Sequence, residues 1–300
     1  MAFFVILFFL AKNFFTLFIN SMNILPINRA DNNINFKTCF RKYPSKSMAD
    51  FKDFAMPYVL TSTNIFREDV DWKNLVKYIL FHFAEKKKVQ SFSLACSDGS
   101  EAYTYAISLM EKIPDSSFGK FFPVKAVDID STMINLANRR LINLFDTEFY
   151  YASKLYNVDL NNYFKKISDN PVTIQNDDLS DIPPIALYEP IDELKENVQF
   201  KNSDILTELR NIKDEGNSVV MCRNVMPYLS KDYMLQVVKA AKENLKKGSL
   251  FIIGDYDRKS NIEELLERNG FFRPLINQNN VFQRGSIKEL TDRLYSGYLI

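Results

Sequence analysis

The sequence predicts an α/β fold in which crossover helices join the strands of an open sheet. From Phe51 onward, short apolar runs alternate with stretches of helical period. Three hundred residues, 46% hydrophobic and 25% charged, supply a sizeable core and exclude wholesale disorder or a coiled coil. No internal repeat interrupts the pattern.

Each element follows from local pattern. Over Asp71–Glu85, the residues Trp72, Leu75, Val76, Ile79, Leu80 and Phe83 form one helical stripe. Ser91–Cys96 reads as a short buried strand. A helix over Glu101–Ile113 comes next, with Ala102, Ala106, Leu109, Met110 and Ile113 on one face. Pro123–Val127 is a second strand, ending in Asp128-Ile129-Asp130. Ser131 is placed to cap the next helix, with Met133, Ile134, Ala137 and Leu141 inward. Residues 146–197 form a long insertion of weaker period. Strands resume at Val198–Phe200 and Ser218–Cys222, followed by a helix over Lys231–Lys247 with Ser230 at its start and Gly248 beyond it. Leu250–Gly254 is another strand. Ser260–Glu263 spells a capping box for a helix that stops at Gly270, and strands at Phe271–Pro274 and Val281–Arg284 finish the sheet. The expected organisation is a helical segment over 51–90, a main domain over 91–285 and a tail over 286–300.

The N-terminus is unlike the rest. Residues 1–21 are a hydrophobic leader, and residues 22–50 are polar, Asn-rich and aperiodic. Residues 2–19 hold thirteen Phe, Ile, Leu or Val, each worth roughly −0.3 to −0.6 kcal/mol of insertion against about +3 kcal/mol for Lys12. Three readings stand: translation from Met22, a weak anchor in the inner membrane through 2–19, and a packed helix. Membrane contact follows only if the leader is translated; otherwise a cytoplasmic protein is expected.

Composition narrows the chemistry. Lys plus Arg is 38 against 37 for Asp plus Glu, a net +1, which argues against a nucleic-acid partner. Cys39, Cys96 and Cys222 are too few and too far apart for a disulfide framework or a four-cysteine zinc site, and no metal is expected. The single histidine, His82, removes mechanisms that need two imidazoles. It reads as a partly exposed helix residue.

In an open α/β sheet the ligand lies beyond the carboxyl ends of the strands. Three such ends are polar here. Leu94–Ala106 (LACSDGSEAYTYA) turns from strand to helix through Ser97-Asp98-Gly99, with Glu101 at the helix start. It is either a ligand-approaching turn or an ordinary strand–helix connection. Ala126–Asp130 (AVDID) ends in acids that suit ribose hydroxyls or, in the case of Asp130, a helix cap. Met221–Leu229 (MCRNVMPYL) delivers Arg223, Asn224 and Tyr228 to the same rim, where Arg223 is either a ligand contact or a salt-bridge partner of Glu101 or Asp204. Together the ends suggest a nucleoside-containing cofactor, while the lack of a glycine-rich cradle and Lys argues against a P-loop.

These segments resemble the CheR-type methyltransferases, which methylate receptor glutamates using S-adenosyl-L-methionine. CSDGSEAYTYA carries that family's C-S-x-G-x-E-x-Y-x-x-A, AVDID its A-x-D-I-D, and MCRNVMPYL its C-R-N-V-x-x-Y. Thr61–Glu68 (TSTNIFRE), Asn161–Lys166 (NNYFKK) and Glu196–Leu206 (ENVQFKNSDIL) are similar to three further segments in the expected order. The likeness covers roughly 55–285 and implies a class I methyltransferase fold, Rossmann-like, with a mostly parallel seven-stranded sheet and a small inserted subdomain. It implies a cofactor pocket lined by Thr61, Thr63, Arg67, Glu101, Asp128, Asp204, Ile205, Arg223 and Asn224. Within it, Asp128 would hold the ribose, Arg67 the methionine carboxylate and Glu101 the ammonium. Thr61 and Asp204 both stand where the family has Asn. The family's basic, receptor-docking N-terminal helical domain is reduced here to a short segment.

The implied partner is a protein presenting a glutamate side chain, such as a chemoreceptor. A carboxylate is ionised at neutral pH and needs no general base, so the transfer rests on positioning. The expected catalytic groups are Arg223, pairing with a carboxylate (a role open to Arg67 as well), and Tyr228, offering an aromatic face to the cation. Methylation of a small molecule or RNA is the alternative within the same chemistry; a non-catalytic S-adenosylmethionine-binding module is the alternative outside it.

Overall fold

A seven-stranded sheet organises the computed structural model, which describes residues 41–42, 46–47, 58–59, 62–113, 119–170, 185–212, 216–274 and 278–286. The leader and the tail beyond Ser286 lie outside the described residues. The strands of the sheet are β1 (Val89–Leu94), β2 (Val124–Asp128), β6 (Val198–Asn202), β7 (Asn217–Met221), β8 (Leu250–Ile252), β9 (Phe271–Phe272) and β10 (Val281–Arg284). Their order is β6-β2-β1-β7-β8-β10-β9, and β10 alone runs against the rest. Strand order reverses between β1 and β7, which places a topological switch point at their carboxyl ends.

Strand periodicity sends alternate side chains to two apolar cores. Val219, Met221, Leu250 and Ile252 join one core with α1 (Trp72–His82) and α2 (Ser100–Met110). Phe92, Leu94, Val220 and Phe251 join the other, with α6 (Ile205–Arg210), α7 (Lys231–Asn244) and α8 (Ile262–Arg268). Among the described residues, the remaining α-helices are α3 (Ser131–Asn138), α4 (Asp146–Tyr151) and α5 (Asp192–Asn197).

Several boundaries differ from the sequence expectation. The first strand stops at Leu94 because Ala95 takes a left-handed φ of 62°. Asp130, not Ser131, caps α3, its carboxylate accepting from Thr132 N at 2.8 Å. That helix ends at Asn138, before Leu141, because Arg140 turns left-handed at φ 58° and donates to the Val198 carbonyl at 2.9 Å. α7 ends at Asn244, where Leu245 becomes extended and enters the core. The capping box at Ser260 does not form: its hydroxyl closes back on the Asp257 carbonyl, and Asn261 enters α8 with no side-chain cap.

The insertion begins earlier than residue 146. Among its described residues it carries a three-stranded antiparallel sheet of β3 (Ile142–Phe145), β5 (Ile185–Pro190) and β4 (Phe164–Ser168), in that spatial order, alongside short helices. Among the described residues, no helix is long and apolar enough to cross a membrane.

Candidate functional site

Parallel pairing sets three strand ends at one height. Leu94 lies opposite Val127, and Ser93 lies opposite both Ala126 and Met221. The chain therefore leaves these strands at Ala95, just past Asp128 and at Cys222. The first exit is a tight turn in which Ala95, Ser97 and Gly99 all have positive φ. Only glycine fits at 99, since φ is 93° and a Cβ would lie 2.5 Å from the Phe200 ring. That turn starts α2 and puts Glu101 in its first turn.

Four charges alternate across this edge: Arg67, Asp69, Arg223 and Glu101. The Arg223 guanidinium is only 2% exposed; one terminal nitrogen pairs with Asp69 and the other donates to Glu101 Oε2 at 3.0 Å. Its face lies 4.9 Å above the Trp72 ring. Glu101 also accepts from the Ser93 hydroxyl at 2.6 Å. Arg67 Nε stands 3.9 Å from Asp69, with a quarter of its side chain exposed. Burial pushes the Glu101 carboxyl above its ordinary range, opposed by Arg223 and Ser93. Burial acts the same way on Asp69, but Arg223 and Arg67 overcome it and hold that carboxyl below its usual range. The two terminal nitrogens of Arg223 thus face Asp69 and Glu101, so the salt bridge to Glu101 is the arrangement observed, while Nε is buried without a hydrogen-bond partner.

Asp128 borders the same turn. Its two oxygens accept from Ser97 N and Asp130 N, both at 2.8 Å, and burial lifts its carboxyl to about 6. Beside it, Asn202 Nδ2 donates to the Asp128 and Ile129 carbonyls, each at 2.9 Å. Two residues on, Asp204 caps α6 through Thr207 N at 3.0 Å and accepts the Tyr233 hydroxyl; Ile205 behind it is buried.

Asn224 has φ 59°, donates to Asp69 Oδ2 at 2.8 Å and accepts from Tyr256 N at 3.2 Å. Tyr228 is half-buried with its ring 5.9 Å from that of Tyr256; burial raises its phenol, while Arg67 lowers it, so the two share one neighbourhood. Thr63 is buried and pairs with Arg41 in a two-residue ribbon. Thr61 lies outside the described residues. Arg67, Glu101, Arg223 and Asn224 are thus brought into one network, Asp128 adjoins it through the Ser97 turn, and Asp204 adjoins Asp128.

Two acids central to this edge escaped the sequence reading. Asp69 touches Arg67, Arg223, Asn224 and the backbone N–H of Asp255. It sits in the acidic run Glu68-Asp69-Val70-Asp71, which composition alone does not separate from a solvated turn. Asp257 is wholly buried and accepts from the backbone of Asn224, Met226 and Gly254 at 2.6–2.8 Å, with burial lifting its carboxyl to about 6. The rule that pointed to the other strand ends applies to it too, since it follows β8.

The family described as "CheR methyltransferase, SAM binding domain" matches residues 61–183 and 186–270, more than half of the chain. The chain belongs to the CheR methyltransferase family. Two curated relatives are similar over most of their length. A chemotaxis protein methyltransferase of Listeria monocytogenes is 22% identical over 243 residues, covering 78% of this chain and 79% of the relative. Chemotaxis protein methyltransferase 2 of Vibrio cholerae is 21% identical over 224 residues, covering 72% and 70%. This CheR-family chain is an S-adenosylmethionine-dependent methyltransferase with a class I, Rossmann-like fold. The residues at the strand ends suit such a cofactor: acids and an arginine for a zwitterionic amino acid, an acid beside the turn for a ribose, and a Ser97 hydroxyl oxygen buried without a partner.

Proposed function

We propose that this chain methylates a glutamate side chain of a protein partner, of the chemoreceptor class, in the cytoplasm. Support comes from the names of the relatives and from one observation on the site: it offers no histidine to take a proton. His82 Nε2 donates to the Gly248 carbonyl, 2.7 Å away, and Gly248 precedes β8 at the amino ends of the strands, the opposite edge of the sheet. The Glu101, Asp69 and Asp128 carboxylates already accept the bonds described above. Tyr228 is kept protonated by burial. An acceptor that is itself an anion suits such a site, because it arrives deprotonated.

When bound, S-adenosylmethionine would supply an activated methyl for a carboxylate acceptor, a transfer that asks none of this chain's residues to take a proton. In this reading Asp128 orients the ribose through the acceptor capacity left on its two oxygens. Arg67 takes the methionine carboxylate and Glu101 the ammonium. Thr63, Asp204, Ile205 and Asn224 line the pocket, and Tyr228 turns its ring toward the cation. Arg223 acts by holding the Glu101 carboxylate in place with one terminal nitrogen while the other pairs with Asp69.

The test is incubation with tritiated methyl donor, a chemoreceptor cytoplasmic fragment and a cell lysate, followed by mild base. Volatile methanol released from labelled receptor is the expected result. Base-stable label on RNA or a metabolite, or cofactor binding with no transfer to any acceptor, overturns the proposal.

A further inference from the structure

Asp69 lies on the segment between the N-terminal ribbon and α1, two residues past Arg67, and its carboxylate is 10% exposed. Its backbone is tied down as firmly as its side chain: the Asp69 carbonyl accepts from Asn280 Nδ2 at 2.6 Å. Without it, Arg67, Arg223 and Glu101 would leave a net +1 on a largely buried edge. With it, two cations and two carboxylates alternate and cancel. Asp69 also divides Arg223 between two acids, so that Glu101 receives one guanidinium nitrogen rather than the whole cation.

We infer that Asp69 is a positioning residue that sets the charge balance at the amino-acid end of the cofactor site. The inference rests on the proposed placement of that end between Arg67 and Glu101. Asp69→Asn turns the cluster to +1 and releases Arg223 to Glu101, which weakens the pull of Glu101 on an ammonium. S-adenosylmethionine carries a net +1, S-adenosylhomocysteine is neutral overall, and methylthioadenosine lacks the amino-acid end.

Calorimetry on wild type and Asp69→Asn with these three ligands reads the effect. S-adenosylmethionine is expected to lose at least about tenfold in affinity, S-adenosylhomocysteine less, and methylthioadenosine under about twofold. A structural defect alone would weaken all three by one factor, and that result overturns the inference, as does unchanged affinity for S-adenosylmethionine. Wild type binding S-adenosylmethionine no better than methylthioadenosine would instead overturn the placement beneath it. Should Asp69→Asn fail to fold, Asp69→Glu carries the test: it keeps the charge and should keep the preference for S-adenosylmethionine over methylthioadenosine. Loss of that preference refutes the role.

Discussion

Replacing Arg223 by Met isolates the charge at the centre of the site, because Met keeps an apolar stem against Trp72 while removing the guanidinium. Arg223 is 2% exposed, and Asp69 and Glu101 are 10% and 13% exposed, so both carboxylates would be left largely buried without their common partner. Breaking a buried pair by removing one member costs about 3–5 kcal/mol. For a domain of this size that is a fall of about 6–20 °C in Tm. The pH dependence carries a definite sign. In the wild type, the Asp69 carboxyl is held below its ordinary range, so its contribution is present above that range and is lost as pH falls through the lowered value. In Arg223→Met both carboxyls rise, and protonating them relieves the burial cost. The deficit should therefore be greatest near about pH 8 and shrink toward about pH 5, as read by urea denaturation at each pH. A deficit equal at both ends, or below about 1 kcal/mol throughout, would refute the view that Arg223 neutralises two buried acids.

Asp128 and Gly254 give two independent checks. Burial raises the Asp128 carboxyl to about 6, so wild-type affinity for S-adenosylmethionine should weaken as pH drops through that value, whereas Asp128→Asn should bind weakly with a flat profile in calorimetry. A variant that keeps the wild-type slope would mean another group titrates. At Gly254 a Cβ would stand 2.3 Å from Asn224 Oδ1, and Asn224 is pinned by Asp69, Tyr256 N and Asp257. Gly254→Ala should cost about 1–3 kcal/mol through overpacking, and an unmoved urea midpoint would show that the Asn224 side chain yields freely.

What could be read in advance follows the range of the forces involved. The β–α alternation, the three polar strand ends and the place of Glu101, Asp128 and Arg223 on one edge were legible, because periodicity and parallel topology act on every residue of an element. The early stop at Ala95 and the left-handed turn at Arg140 were not, since each depends on one backbone torsion held by a distant contact, such as Arg140 on Val198. Strand β3 escaped because Ile142–Phe145 is four residues long and continues the apolar positions of the preceding helix. Asp69 escaped for a different reason. Arg67 is a near neighbour, but the main partners of Asp69, namely Arg223 and Asn224, lie 154 and 155 residues away in sequence, and no local pattern encodes them.

The site is therefore assembled from two kinds of support with unequal stiffness. Asp128 ends, and Arg223 closely follows, strands whose register is fixed by several consecutive pairings, and Glu101 stands in the first turn of α2 just beyond β1. Arg67 and Asp69 hang from a loop held by separate ties: Ile65 N to Glu148 at 2.5 Å, Phe66 N to Thr104 at 3.0 Å, Trp72 Nε1 to the Arg67 carbonyl at 3.1 Å, and the carboxylate of Asp69 itself. Glu148 belongs to α4 in the inserted segment, so the loop bearing Arg67 is fastened to the insertion as well as to the main sheet. A loop secured by a handful of side-chain bonds opens at lower free energy than paired strands do. Hydrogen exchange should show residues 64–70 opening well before β1 and β7, and saturating cofactor should slow the loop more than the strands. Equal protection across loop and strands in the free protein would mean the ties to Glu148, Thr104 and Arg223 make the loop part of the cooperative core.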